Sequence, residues 1–141
     1  MPKNDTFRND TLKLIFHGVA IADIAMNDSS SPATVLPVAL HTADPGGGGS
    51  QTTDEISYTD YARVGIPRDS SGWAITGNSV SPVADIDFPV SSGGTGGTAT
   101  HFSIGSGVSD KILYRGAITP PILIGTGSLP RLRTTSTVVE L

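Results

Sequence analysis

The sequence predicts a mainly β fold, an antiparallel jelly-roll β-sandwich of about eight strands with one N-terminal α-helix. Composition is the first observation behind this. Glycine occurs 17 times and proline 10 times in 141 residues, so the chain turns often and its strands must be short. Patterning is the second: apolar residues alternate with polar ones in short runs between turn formers, and no strand–helix–strand repeat is present to build a parallel sheet. The length is about that of one ordinary domain, so a single core is expected.

Residues 1–10 are polar and read as a mobile N-terminal arm. They carry the tripeptide Asn-Asp-Thr at Asn4–Thr6 and begin it again at Asn9, and either copy offers a side-chain oxygen for helix capping. From Thr11 to Asp28 apolar residues fall at Leu12, Ile15, Phe16, Val19, Ala22 and Met26. That is helical spacing, and it predicts a helix over about 11–28 at the head of a single sandwich domain, 11–141. Leu14 and Ile21 lie off the stripe. The helix is thus apolar over more of its circumference than packing on one sheet requires. The expected partner-contact residues are therefore Leu12, Leu14, Ile15, Phe16, Val19 and Ile21.

The Ser-Pro punctuation of Asn27–Thr34 ends the helix, and short strands follow. Val35–Thr42 is the first, and Pro37 marks it as edge-like. A loop with glycines at 46–49 leads to Tyr61–Arg68, where Ala62, Val64 and Ile66 alternate. Trp73–Thr76 and Ser79–Val83 flank a Gly77-Asn78 turn, after which Ala84, Ile86 and Phe88 alternate against Asp85 and Asp87. Alternation resumes at Thr98–Ile104, then at Ile112, Tyr114 and Ile118, then at Ile122–Ile124, and the chain closes with Thr134–Leu141. These rows nominate Ala62, Val64, Ile66, Trp73, Ile86, Phe88, Phe102, Ile104, Ile112 and Tyr114 as the sandwich core.

The composition argues against several function classes. Lys and Arg number 9 against 13 acidic residues, a net charge of −4, and no basic stripe runs along any segment, so direct nucleic-acid binding is not expected. The apolar stretch Leu14–Ala22 is far too short to cross a bilayer, and no membrane partner is expected. Without cysteine there is neither a disulfide framework nor a thiolate metal site. Gly46–Gly49 lacks the Lys-Ser/Thr pair and following helix of a phosphate cradle, and reads as a mobile connection between strands. Gly94–Ala99 leads into β-alternation rather than the helix of a dinucleotide site. His17, His41 and His101 occur without H-x-H or H-x-x-E spacing, and read as fillers or rim residues. Asp85 with Asp87, and Asp54 with Glu55, read as solvent-facing carboxylates. No G-x-S-x-G elbow nominates a serine nucleophile. The expectation is a protein that is not an enzyme and takes no cofactor, metal or small-molecule substrate.

The order "LKLIFHGVAIADIA", "LPVALHTADPG", "QTTDEISYTDYARVGIPR", "GWAITGNSVSPVADIDFPV", "THFSIG", "KILYRGAI" resembles a family of small virion proteins of tailed bacteriophages, many of which carry the label tail fiber protein. Within it, the sequence is similar to capsid cement, or head-decoration, proteins of short-tailed Bordetella-type phages. The resemblance covers about Leu12 to Thr135, and "LHTADPG…YARV…GNSV…IDFP" carries most of it. It implies a structural jelly-roll subunit that binds the outside of the head and stabilises contacts between major capsid proteins. The partners implied are the major capsid protein and a second copy of the chain in a homodimer. The place implied is the virion, assembled in the host cytoplasm. The alternative it leaves open is a tail or host-recognition module.

Overall fold

The computed structural model describes residues 5–21 and 33–141. The fold is mainly β. Helix α1 spans Asp5–Leu12 and passes into a π-helical turn, Lys13–His17. Strands follow at β1 Val35–His41, β2 Val64–Pro67, β3 Trp73–Thr76, β4 Ser79–Pro82, β5 Ile86–Asp87, β6 Gly97–Gly105, β7 Ile112–Ile124, β8 Arg131–Leu132 and β9 Val138–Val139. The pairs β1/β6, β3/β4, β4/β9, β5/β8 and β6/β7 are all antiparallel, an arrangement compatible with the expected jelly roll. The chain divides into two compact units: unit 1 is Met1–Val35, Ile66–Asp85 and Arg133–Leu141, and unit 2 is Leu36–Gly65 and Ile86–Leu132.

Unit 1 is built on the β3–β4 hairpin. Gly77, with φ 61°, takes the first central position of its two-residue turn, where a hairpin of this length calls for positive φ and hence glycine. Strand β9 adds to β4 with Val80 opposite Val138. The Asn78 side-chain amide donates to the Glu140 carbonyl at 3.0 Å, and the Glu140 amide donates to the Asn78 carbonyl at 2.8 Å. Leu12 and Phe16 are fully buried alongside Trp73 and Val80. Phe16 meets Trp73 edge-on, with ring centroids 4.7 Å apart at 68°, the geometry that the ring quadrupoles favour.

The helix lies earlier in the chain than its apolar stripe suggested. Residues 5–10, expected in the mobile arm, are helical, and residues 1–4 and 22–28 lie outside the described residues. One tertiary bond and one local cap explain the shift. The Asn9 side-chain amide donates to the Gly77 carbonyl, tying a polar helix face to the hairpin turn. At the other end Gly18 adopts φ 68° and its amide bonds back to the Lys13 carbonyl, which stops the helical run. Arg68 completes this end: its guanidinium donates to the carbonyls of Leu14 at 2.6 Å and Ala33 at 3.2 Å, and also to that of Ile15. The last carbonyls of a helix have no partner within it, so Arg68→Met should destabilise unit 1 by about 1–3 kcal/mol. Chemical denaturation of the variant measures this.

In unit 2 the main sheet has the order β2-β1-β6-β7, with β2 continuing into unit 1. Strand β1 lies inside this sheet, although Pro37 had marked it as edge-like. Its register with β6 begins at Val38 opposite Ile104, one residue past the proline, so the missing amide falls outside the described ladder. Leu36, Val38, Ala39 and Leu40 are buried, matching the near-continuous apolar run of a strand covered on both faces. Strand β7 is one long strand where two had been expected. Its register against β6 shifts between Ala99 and His101, and Ile118–Pro121 bulges there. Phe102 stands opposite Gly116, where a Cβ would lie 3.2 Å from the ring. The ring thus covers its glycine neighbour across the strands.

Of the nominated core, Trp73, Ile86, Phe88, Phe102 and Ile104 are buried. Ala62 is exposed, and Val64, Ile66, Ile112 and Tyr114 are half-buried. Alternation identifies the two faces of a strand without saying which is covered.

Candidate functional site

The glycine-bearing loop between β1 and β2 is anchored at several points, where the sequence suggested a mobile connection. Asp44 Oδ1 accepts the Gly46 amide at 2.9 Å in a local turn of the kind Asp favours. The Gly49 amide donates to the Gly46 carbonyl. Gly46 has φ 76°, and a Cβ on Gly49 would overlap the Pro45 carbonyl oxygen, whereas Gly47 and Gly48 have open space around them. Farther on, the Gln51 amide donates to the Asp110 carbonyl at 2.8 Å.

Beneath this loop lies a polar cluster that is fully buried: His41, Gln51 and Ser103 are each 0% exposed. His41 Nδ1 is 2.8 Å from the Thr53 carbonyl and Nε2 is 2.8 Å from Ser103 Oγ. The Gln51 amide nitrogen donates to the Pro37 carbonyl at 3.0 Å and to Ser103 Oγ at 3.2 Å. Gly105 makes room for it, since a Cβ there would overlap the Gln51 amide. The sequence left His41 as a filler or a rim residue; the structure makes it a buried, hydrogen-bonded filler. Its position next to the apolar run Leu36–Leu40 was the available signal. A serine bonded to a histidine is also the beginning of a nucleophilic pair, but one sealed from solvent on all three side chains cannot meet a substrate.

A second network surrounds Arg63. Its Nε and Nη2 donate to the two Glu55 oxygens at 2.7 and 2.8 Å, and Nη1 donates to Asp110 Oδ1. Tyr61 Oη donates to Glu55 Oε1 at 2.8 Å and accepts the Leu40 amide at 3.2 Å. Bonding to Glu55 first, then to Asp110, raises the Arg63 pKa, and burial raises that of Tyr61. Arg63 thus clamps the loop end at Glu55 to the β6–β7 connection at Asp110. The bidentate fork needs guanidinium geometry, so Arg63→Lys should destabilise unit 2 by about 1–2 kcal/mol, with the pair's partial exposure holding the figure down. A urea midpoint shift would register it.

The acidic pairs do not converge. Asp87 binds Arg131, with Nη2 at 2.9 Å, and that bond lowers its pKa. Asp85 accepts the Thr134 amide at 3.1 Å, both residues lying within unit 1. His101 bonds Thr100 Oγ1, and His17 reaches the Trp73 carbonyl. Among the described residues no group of three or more His, Cys, Asp or Glu could hold a metal ion, and no helix is long and apolar enough to cross a membrane. Trp73 and Tyr58 are buried and Tyr61 and Tyr114 half-buried, which leaves none of these rings as an open platform for stacking.

The expected partner-contact residues separate into groups. Leu12 and Phe16 are spent on the core of unit 1, so they are unavailable to a partner; Leu14, Ile15 and Ile21 are half-buried. Val19 is 49% exposed, and Phe7, which the apolar stripe had missed, is 43% exposed. In unit 2 the open apolar side chains include Leu123 on β7 and Val108 on the β6–β7 connection.

No curated protein matches the chain. The family described as podophage GP4 fiber I protein gp80 matches residues 4–140, and since that stretch takes in nearly all of both units, the chain belongs to this family of phage virion proteins.

Proposed function

We propose that the chain is a fiber-type structural subunit of a short-tailed phage particle, one that acts by protein–protein contact and performs no reaction. The family match over residues 4–140 carries this reading. The interior supports it: the one serine–histidine contact described above is sealed, and the polar networks fasten loops to strands. Each copy need bind only modestly, because many simultaneous contacts on a particle multiply weak affinities. Phe7 and Val19, together with half-buried Leu14, Ile15 and Ile21, form the contact surface in this reading, toward a second copy or a neighbouring virion protein.

A second reading is capsid cement on the outer surface of the head, bound to the major capsid protein. The resemblance carried by "LHTADPG", "YARV", "GNSV" and "IDFP" favours it. Copy number in purified particles, measured by quantitative mass spectrometry and located by antibody labelling, separates the two. A number matched to the tail supports the fiber reading, and a number matched to the capsid protein supports cement. Absence from washed particles overturns both. For the surface itself, a Phe7→Glu, Val19→Glu variant should keep the native circular dichroism spectrum and lose incorporation into particles. Full incorporation would remove this face from the assembly.

A further inference from the structure

The buried cluster has a proton count that admits one arrangement at neutral pH. The Thr53 carbonyl can only accept, so Nδ1 of His41 carries the ring proton and Nε2 is a bare acceptor. Ser103 must then donate its single hydroxyl proton to Nε2, while its oxygen accepts from the Gln51 amide nitrogen. That nitrogen is assigned by the Pro37 carbonyl, which also can only accept. A second ring proton would turn Nε2 into a donor facing a hydroxyl that must itself donate. Ser103 Oγ would then receive both His41 and Gln51, and its own proton would need a new acceptor. Gln51 Oε1 is buried with no partner among the described residues, so the site already holds one unmet polar atom. A cation without solvent here is costly to accommodate.

We propose that His41 is a proton-sensitive latch on the Thr42–Thr53 loop, which holds the loop against β6 when neutral and releases it when protonated, while the β1–β6–β7 sheet stays paired. A Cβ on Gly47 or Gly48 would meet nothing within 4 Å, so the tip of the loop has room to shift. The Thr53 carbonyl and the Gln51 side chain tie the loop to the buried cluster, while Asp44 on Arg115 and the Gln51 amide on the Asp110 carbonyl hold it independently of His41. The charged and titratable groups facing His41 are Glu55 from the loop end, Arg63 ahead of β2 and His101 on β6. Glu55 is already engaged by Arg63, which limits how far it can favour an imidazolium. Burial holds the His41 pKa below its usual 6.5, against the opposing Thr53 bond and Glu55. The sign follows from that depression. The unfolded or released imidazole binds protons more readily, so the latch is fully closed above 6.5 and opens as pH falls through the lower folded value.

The test is amide hydrogen exchange on the full chain, expressed as protection factors corrected for intrinsic rates, at about pH 7.5 and about pH 5. Protection at Gln51 and Thr53 should fall in the acid sample. Amides of Phe102 and Ile104 should hold. In His41→Asn, loop protection should be the same at both values. Equal loop protection in the wild type at both pH values overturns the latch, as does an acid loss of equal size in the variant or in step with the sheet amides. Should the variant fail to fold, ring nitrogen-15 resonances of the wild type decide. Titration of His41 together with the Gln51 and Thr53 amide shifts supports the latch, and titration without them overturns it.

Discussion

Phe16→Ala should destabilise unit 1 by about 3–5 kcal/mol, the range for removing a buried phenylalanine whose site cannot fully collapse. Phe16 is 0% exposed and holds the edge of its ring against Trp73 at 4.7 Å. The neighbours that would have to close the gap are fixed by other bonds: the β3–β4 register on one side and the Arg68 bonds to the Leu14 and Ile15 carbonyls on the other. Trp73 is the sole tryptophan, so urea unfolding followed by its fluorescence reads this site directly. A midpoint equal to that of the wild type would mean that Phe16 is free for the partner contact the sequence had suggested.

A loss of similar size, about 3–5 kcal/mol, is expected for Phe88→Ala in unit 2. Phe88 is 1% exposed and stacks on Tyr61 with centroids 6.4 Å apart and planes within 10°. Tyr61 Oη in turn links the Leu40 amide to Glu55. The cavity should therefore loosen the Glu55–Arg63 clamp as well as the core. Exchange at the Leu40 and Ile56 amides reports this. Unchanged protection at both, with unchanged stability, would show that Tyr61 is held without Phe88.

The parts of the fold legible in the sequence were those whose signal is local. The hairpin Trp73–Pro82 could be read from alternation around Gly77-Asn78, and it has that turn. Strand β1 was legible as a strand, but Pro37 marked it as edge-like where it lies inside the sheet. What failed was each inference that needed to know a distant partner. Helix α1 begins in a polar segment because Asn9 finds the Gly77 carbonyl 68 residues away, and no periodicity records that. His41 was left between filler and rim because the choice depends on Ser103, which is 62 residues on. The loop was read as mobile from its glycines, whereas Gln51, Glu55 and Asp110 decide how it is held. Strand β8 was missed because two residues, Arg131 and Leu132, carry no period. For the contact surface, helical spacing gathered Leu12 and Phe16 with Val19, yet the first two face inward. Phe7 went unnoticed because it lay ahead of the expected helix.

The interleaving of the two units has a consequence for biosynthesis. Unit 1 takes its pieces from Met1–Val35, Ile66–Asp85 and Arg133–Leu141, and unit 2 takes Leu36–Gly65 and Ile86–Leu132. A ribosome delivers these pieces in an order that completes neither unit early. The β3–β4 hairpin can form as soon as it emerges, but β4 must wait for Val138–Val139, and β5 must wait for Arg131–Leu132. Most pairings therefore close long loops, which slows folding relative to a chain of local contacts. Until then Phe16, Trp73 and the apolar run of β1 are exposed together, a condition that favours aggregation and engagement by chaperones. Unit 2 has all its pieces once Leu132 has emerged, whereas unit 1 waits for Arg133–Leu141.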